Sequence, residues 1–251
     1  MADRILEIGK SALETSEMKA KMLMNNVANA QTPGYRKSDV VTTSFPVLLE
    51  NATRSTEDRG ASFLSMPKVQ GSYNDMQNGA MFKTGSNTDM AIGGEGFFVV
   101  MSREGEFFTR DGRFYINEDG RLLTSSGDFP VLGRSGPISV TPGSKFEISR
   151  SGAVIVDDVE TDKIRVLKFR DRSGLVSVNN SFFKSPPEGI VYEEEENPII
   201  AQGFIESSNV SVINEMTNMI TTQRSYELAA KIIKNREADM QKIIEIGRPA
   251  Q

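Results

Sequence analysis

The N-terminal hydrophobic pattern has the period of an α-helix. From about residue 3 to residue 30 the chain has no proline, a single glycine at Gly9 and many strong helix formers, which predicts one helix of about 25 residues. Thr32-Pro33-Gly34 is typical of a helix end, because the residue before proline avoids the helical conformation. An apolar stripe with residues seven apart is formed by Leu6, Leu13, Ala20 and Val27.

The C-terminal region repeats this pattern over a longer stretch. Between about residues 210 and 246 there is neither proline nor glycine. An alternation of three and four residues over about five heptads is typical of a coiled-coil seam. The seam positions are Val212, Met216, Met219, Gln223, Tyr226, Ala230, Ile233, Glu237, Met240 and Ile244.

The partner of each helix stays open at this point. The two helices can pair within one chain as an antiparallel hairpin, or they can pack between the subunits of an assembly. Polar residues in a seam reduce stability but fix register and partner, which matters most in an assembly. The polar seam positions Gln223 and Glu237, with Asn25, Asn26 and Asn29 near the end of the first helix, therefore slightly favour the assembly.

The middle of the chain predicts strands. From about residue 89 to residue 206, short apolar or alternating runs are separated by turn residues. Asp119-Gly120 between two such runs predicts a β-hairpin. The predicted fold class is α+β, in which discontinuous N- and C-terminal helices form a coiled-coil domain with an inserted all-β domain. The predicted limits are residues 1–35 for the N-terminal helix, 36–84 for an extended connector, 85–204 for the β domain and 205–251 for the C-terminal helix.

Composition and charge narrow the functional classes. With 251 residues, of which 38% are hydrophobic, the chain is long enough to bury a core. The net charge of −5 argues against binding to nucleic acid or to an anionic membrane surface. No apolar stretch approaches the ~20 residues that a membrane-spanning helix needs. Charged residues interrupt the first apolar stretches, so we expect no signal peptide.

The chemistry available to the chain is limited, because it contains no histidine and no cysteine. This excludes Ser-His-Asp and Cys-His nucleophiles, the usual zinc ligand sets and disulfides. The glycine-rich segment 93–96 leads into a predicted strand, whereas a phosphate-binding loop leads into a helix. The acids of 157–162 lack the spacing of a calcium-binding EF-hand. We therefore predict no catalytic residues, no cofactor and no metal.

Four segments resemble the flagellar basal-body rod and hook proteins, the axial proteins of the bacterial flagellum. They span nearly the whole chain in the expected order. The segments are NVANAQTPGYR at 26–36, TGSNTDMAIGGEGFF at 84–98, FTRDG at 108–112 and QGFIESSNV at 202–210. Hook proteins of this family are considerably longer, so the length favours a rod subunit. The choice between a proximal and a distal rod subunit stays open, partly because Thr88 departs from the usual motif.

The resemblance implies a structural subunit that polymerises through its terminal helices. The polymer would be the axial tube that transmits torque from motor to hook and encloses the export channel. The implied partners are copies of the chain, paralogous rod and hook subunits, the flagellar export apparatus and the surrounding basal-body rings. The implied location is the rod in the periplasmic space, reached by type III export without a cleaved signal peptide. Neither nucleic acid binding nor membrane insertion is expected.

The predicted subunit interface combines the stripe, most of the seam and two asparagines. Its residues are Leu6, Leu13, Ala20, Val27, Asn26, Asn29, Val212, Met216, Met219, Gln223, Tyr226, Ile233, Met240 and Ile244. Two other functions stay open. A secreted β-domain adhesion or binding module with a helical hairpin would keep its function in a fragment of residues 85–204. A carboxylate enzyme acting on cell-wall glycan would lose turnover when one acid is changed.

Overall fold

The computed structural model describes residues 2–47, 64–179, 181–186 and 189–246. These residues form two helices, α1 (Ala2–Ala28) and α2 (Val212–Ile246), and seventeen strands. In chain order the strands are β1 (Ser38–Val47), β2 (Leu64–Asn74), β3 (Met81–Lys83), β4 (Met90–Gly93), β5 (Phe97–Ser102), β6 (Gly105–Thr109), β7 (Phe114–Ile116), β8 (Leu122–Thr124), β9 (Phe146–Ile148), β10 (Ala153–Val156), β11 (Val159–Lys163), β12 (Val166–Phe169), β13 (Val176–Asn179), β14 (Phe182–Lys184), β15 (Tyr192–Glu194), β16 (Ile199–Gln202) and β17 (Phe204–Glu206).

The chain divides into two compact units. The helical unit comprises the described parts of Met1–Val27, Ser38–Tyr73 and Val212–Gln251. The β unit comprises the described parts of Ala28–Lys37 and Asn74–Ser211. No helix in the part of the chain that the structure describes is long and apolar enough to cross a membrane.

In the helical unit, α1 and α2 run antiparallel. Near the end of α1, the Asn26 side-chain amide donates a hydrogen bond of 3.0 Å to the Glu215 carboxylate in the first turn of α2. Near the start of α1, a Cβ on Gly9 would lie 2.8 Å from Ile233 of α2. Gly9 therefore lets the two helices approach closely. The strands β1 and β2 pair as a two-stranded sheet, and Thr15 of α1 donates a hydrogen bond of 3.4 Å to the Pro67 carbonyl of β2.

The predicted fold class is wrong as stated. The chain has one N-terminal and one C-terminal helix around a large β-rich middle, and the helices share their compact unit with β1 and β2. They therefore do not form a coiled-coil domain of their own with all the strands in one insertion. Several seam side chains are exposed, including Val212, Met216 and Met240. A heptad pattern records the spacing of apolar residues along a helix, but not the surface that covers them.

The β unit is built on one antiparallel sheet of six strands, in the order β13-β14-β6-β5-β12-β15. The smaller sheets are β11-β10-β9, β16-β4, β17-β3 and β7-β8. The predicted hairpin at Asp119-Gly120 is confirmed, because it joins the antiparallel strands β7 and β8 and Gly120 has φ +76°.

Both faces of the six-stranded sheet are covered by apolar side chains. Phe98 and Val100 of β5 belong to one buried cluster, and Phe97 and Val99 belong to another. This division follows from the strand period of two, which sends successive side chains to opposite faces. Phenylalanine rings fill much of both clusters; Phe98, for example, meets Phe114 edge-to-face with 5.2 Å between centroids. The sheet therefore has a packed apolar cluster on each face.

Candidate assembly surface and motif junction

Three of the four motif segments meet in the β unit at one carboxylate. Glu206 of β17 is paired with Arg36 at 2.8 Å and with Arg110 at 3.0 Å, and all three side chains are 1% exposed. The Gly79 amide donates a further hydrogen bond of 2.8 Å to the same carboxylate. We call Arg36, Arg110 and Glu206 the motif junction, because each comes from a different motif.

The motif junction carries one more positive than negative charge. Arg110 Nη2 donates to the Gly94 carbonyl at 2.5 Å, and the guanidinium lies over the Phe97 ring at 5.4 Å. Burial lowers the pKa of Arg110 from its usual value to about 10; Glu206 opposes this shift and the charge of Arg36 adds to it. Among the described residues, no acceptor is bonded to Nε of either arginine or to Nη1 of Arg36. Glu206 is therefore essential to keep these cations buried.

Gly34 places the motif at 26–36 against the backbone of the motif at 108–112. It has φ +69°, and a Cβ there would lie 2.2 Å from the Asp111 amide nitrogen and 2.3 Å from the Arg110 carbonyl carbon. The Gly34 amide also donates a hydrogen bond of 2.9 Å to the Glu206 carbonyl. Only glycine fits here, because any side chain would meet backbone atoms that cannot move aside.

In the helical unit, a groove between α1 and α2 collects part of the predicted interface. Its volume is about 460 Å³, and its lining residues are Ser16, Glu17, Ala20, Met24, Met219, Thr222, Gln223 and Tyr226. Ala20, Met219, Gln223 and Tyr226 belong to the predicted subunit interface. Because both helices supply apolar groups to an open groove, it is a candidate surface for a macromolecular partner.

The other predicted interface residues are distributed more widely. Half-buried positions are Leu6, Leu13, Val27 and Ile233. Exposed positions are Val212, Met216 and Met240. Ile244 lies in α2, but its side chain is outside the described residues. Asn26 is buried in the helical unit and Asn29 in the β unit, so these two side chains are not accessible to a partner in the single chain.

No sequence pattern predicts a role for the charged residues of the motif junction or for Glu215. Their one signal in the sequence is a charged residue within a glycine-rich or apolar motif, at Arg36, Arg110 and Glu206. Their partners are far away along the chain, so no local pattern reveals the pairing. Among the described residues, no group of three or more acids could hold a metal ion.

Replacing Glu206 by glutamine should destabilise the β unit by about 3–5 kcal/mol, because it leaves two buried cations without a counter-charge. Arg36→Leu should cost less, since it leaves a neutral pair. The matched control is Glu193→Gln, whose pair with Arg170 is exposed and should contribute less than about 1 kcal/mol. Urea unfolding followed by circular dichroism measures all three. Equal losses for Glu206→Gln and Glu193→Gln would contradict this reading.

Gly34→Ala should destabilise the protein by about 3 kcal/mol or more, because it combines left-handed strain with a backbone clash. Gly85 provides the control, since it has φ +79° and nothing within 4 Å of the added Cβ. Gly85→Ala should therefore show only the strain of about 1–2 kcal/mol. The same unfolding measurement compares the two, and similar losses would show that the close approach at Gly34 is unimportant.

Comparisons with known proteins identify the family. Residues 91–156 match the family described as flagellar hook protein FlgE/F/G D1 domain, and residues 201–246 match flagellar basal body rod FlgEFG protein C-terminal. The chain is 32% identical to flagellar basal-body rod protein FlgF of Mesorhizobium japonicum, over 91% of each chain. It is 31% identical to FlgF of Caulobacter vibrioides, over 93% of each chain. It is 29% identical to FlgG of Buchnera aphidicola, over 96% of this chain and 98% of the relative. The chain therefore belongs to the family of flagellar basal-body rod proteins.

Proposed function

We propose that this chain is a structural subunit of the bacterial flagellar basal-body rod, where it assembles with other axial subunits. The observation that carries this proposal is the likeness to proteins named for the rod, which extends over more than nine-tenths of the chain. The family is structural, so the prediction that the chain is not an enzyme is confirmed by its membership.

The role of the chain within the rod depends on assembly through its two helices. In this proposal the subunits polymerise into an axial tube in the periplasm, which transmits torque from motor to hook and encloses the export channel. The chain reaches the rod by type III export. Its further partners are the export apparatus and the surrounding basal-body rings.

The surface of α2 supports this role. Large apolar side chains of α2 are exposed at Val212, Ile213, Met216, Ile220, Tyr226, Leu228, Ile232 and Met240. Burying one such side chain against a neighbour contributes about 1.5–3 kcal/mol. Assembly therefore provides the apolar contacts that the single chain leaves in water. We include the exposed and half-buried residues of the predicted interface in this contact surface.

Tyr226→Asp should abolish or strongly reduce assembly while both units still fold. Tyr226 is 44% exposed, so a charge is tolerated in the free chain but must be desolvated in a contact between subunits. We expect a loss of swimming speed and of rod incorporation of about tenfold or more. Ile233→Asp should act in the same direction, but it also disturbs the contact with Gly9. Tyr226 is therefore the cleaner position.

Tyr226→Phe is the matched control and should swim normally. Hydrogen exchange of β5 should be the same in all three variants, since positions 226 and 233 belong to the helical unit and β5 belongs to the β unit. Wild-type swimming of Tyr226→Asp would contradict the placement of Tyr226 in a subunit contact.

A further inference from the structure

Asn78 and Gly79, beside the motif junction, form a dipeptide that is chemically reactive in a flexible chain. The backbone nitrogen of the residue after an asparagine can attack the side-chain carbonyl carbon, and glycine hinders this attack least because it has no side chain. Asn78 is exposed and lines an open cleft of about 420 Å³, so water reaches it. Burial therefore does not protect this pair from hydrolysis.

The fold requires both residues of the pair. A Cβ on residue 79 would lie 1.9 Å from the Ser207 carbonyl oxygen, so only glycine fits there. The Asn78 carboxamide joins two segments. Its Oδ1 accepts a hydrogen bond of 3.2 Å from Arg36 Nη2, and its Nδ2 donates one of 2.9 Å to the Gly94 carbonyl. The reactive pair thus results from packing and bonding requirements at adjacent positions.

The same contacts oppose the reaction. Ring closure needs the Gly79 nitrogen directed at Asn78 Cγ at close range. In the folded chain the Gly79 N–H instead donates a hydrogen bond of 2.8 Å to the Glu206 carboxylate, and a charged acceptor makes this kind of bond strong. The Asn78 carboxamide is bonded at both its oxygen and its nitrogen, so it cannot turn toward Gly79 without breaking these bonds.

Glu206 does not serve as a base for this reaction. Its carboxylate is paired with two buried guanidinium groups, those of Arg36 and Arg110. A proton transferred from Gly79 to Glu206 would leave both cations without a counter-charge, which is strongly unfavourable. The carboxylate therefore holds the Gly79 amide without activating it.

We propose that Asn78 is a latent deamidation site, which the motif junction keeps unreactive while the β unit is folded. When the junction opens, the Gly79 nitrogen forms a bond to Asn78 Cγ and the bond from Cγ to Nδ2 breaks. Nδ2 leaves as ammonia with the proton from Gly79, which gives a succinimide. Water then opens the ring at either carbonyl and leaves aspartate or isoaspartate at position 78. This inference is independent of how the chain assembles.

Mass spectrometry of the purified full-length chain tests the proposal. Ser135→Asn places a second asparagine before a glycine, in the same β unit but outside the motif junction. It is the matched control, because residue 135 is exposed and a Cβ on Gly136 would meet nothing within 4 Å. The variant is incubated in mildly alkaline buffer, with and without urea, and digested at acidic pH. The deamidated fraction at each position is followed over time.

In the folded variant, position 78 should react at least about tenfold more slowly than position 135, because its reaction requires a local opening of the fold. In urea the two rates should be similar. Equal rates in the folded chain would overturn the protection. A slow rate at position 78 in urea as well would assign the protection to the local sequence and not to the fold.

Glu206→Gln tests the part played by the motif junction. While circular dichroism shows that the chain is folded, this change should raise the rate at Asn78 by about tenfold or more, since loss of the counter-charge favours opening. Arg36→Leu should raise it less, because it removes one bond to Asn78 but leaves a neutral pair, and it replaces Glu206→Gln if that variant does not fold. Glu193→Gln alters an exposed pair and should leave the rate unchanged. No increase in either folded junction variant would overturn the role of the motif junction.

Discussion

The β unit depends on one electrostatic constraint, the pairing of two buried guanidinium groups with the Glu206 carboxylate. An isolated charge is too costly to bury without a partner. Arg36, Arg110 and Glu206 come from three distant parts of the chain, so these segments must come together before any of them can be buried. The close approach of Gly34 to the backbone of Arg110 and Asp111 then follows from the same requirement. The segments that adjoin α1 and α2 in sequence are thus fixed within the β unit.

This arrangement favours specificity over stability. A buried pair or triad of charges gains little net free energy over apolar side chains of similar volume. The motif junction is also unbalanced, with an excess positive charge and N–H groups that have no acceptor among the described residues. The helical unit uses a related device on a smaller scale, where Asn26 is bonded to the buried Glu215. Glu215 lies in the first turn of α2, where the helix dipole favours a negative charge.

Local patterns predicted the elements, but not their long-range contacts. The helical period of the apolar residues predicted α1 and α2, and Asp119-Gly120 predicted the β7–β8 hairpin. Each of these signals is local, because it involves residues that are close to one another in the sequence. The coiled-coil domain was a wrong prediction, since spacing on a helix does not state what covers it. The motif junction could not be derived from the sequence, because residues 36, 110 and 206 give no sign of proximity until the sheets are formed. The resemblance of whole motifs identified the family without explaining why those charges are present.

The distribution of polar and apolar groups in the helical unit is unusual for a self-contained chain. Asn26 and Glu215 are buried, whereas Ile213, Ile220 and Leu228 face solvent. Large apolar side chains in water are a cost to solubility unless they have a partner. Buried polar groups fix which helix faces point inward, so the apolar face that remains outside is presented in one defined orientation. A subunit of an ordered array requires this combination, because its neighbours must meet the same surface in every copy.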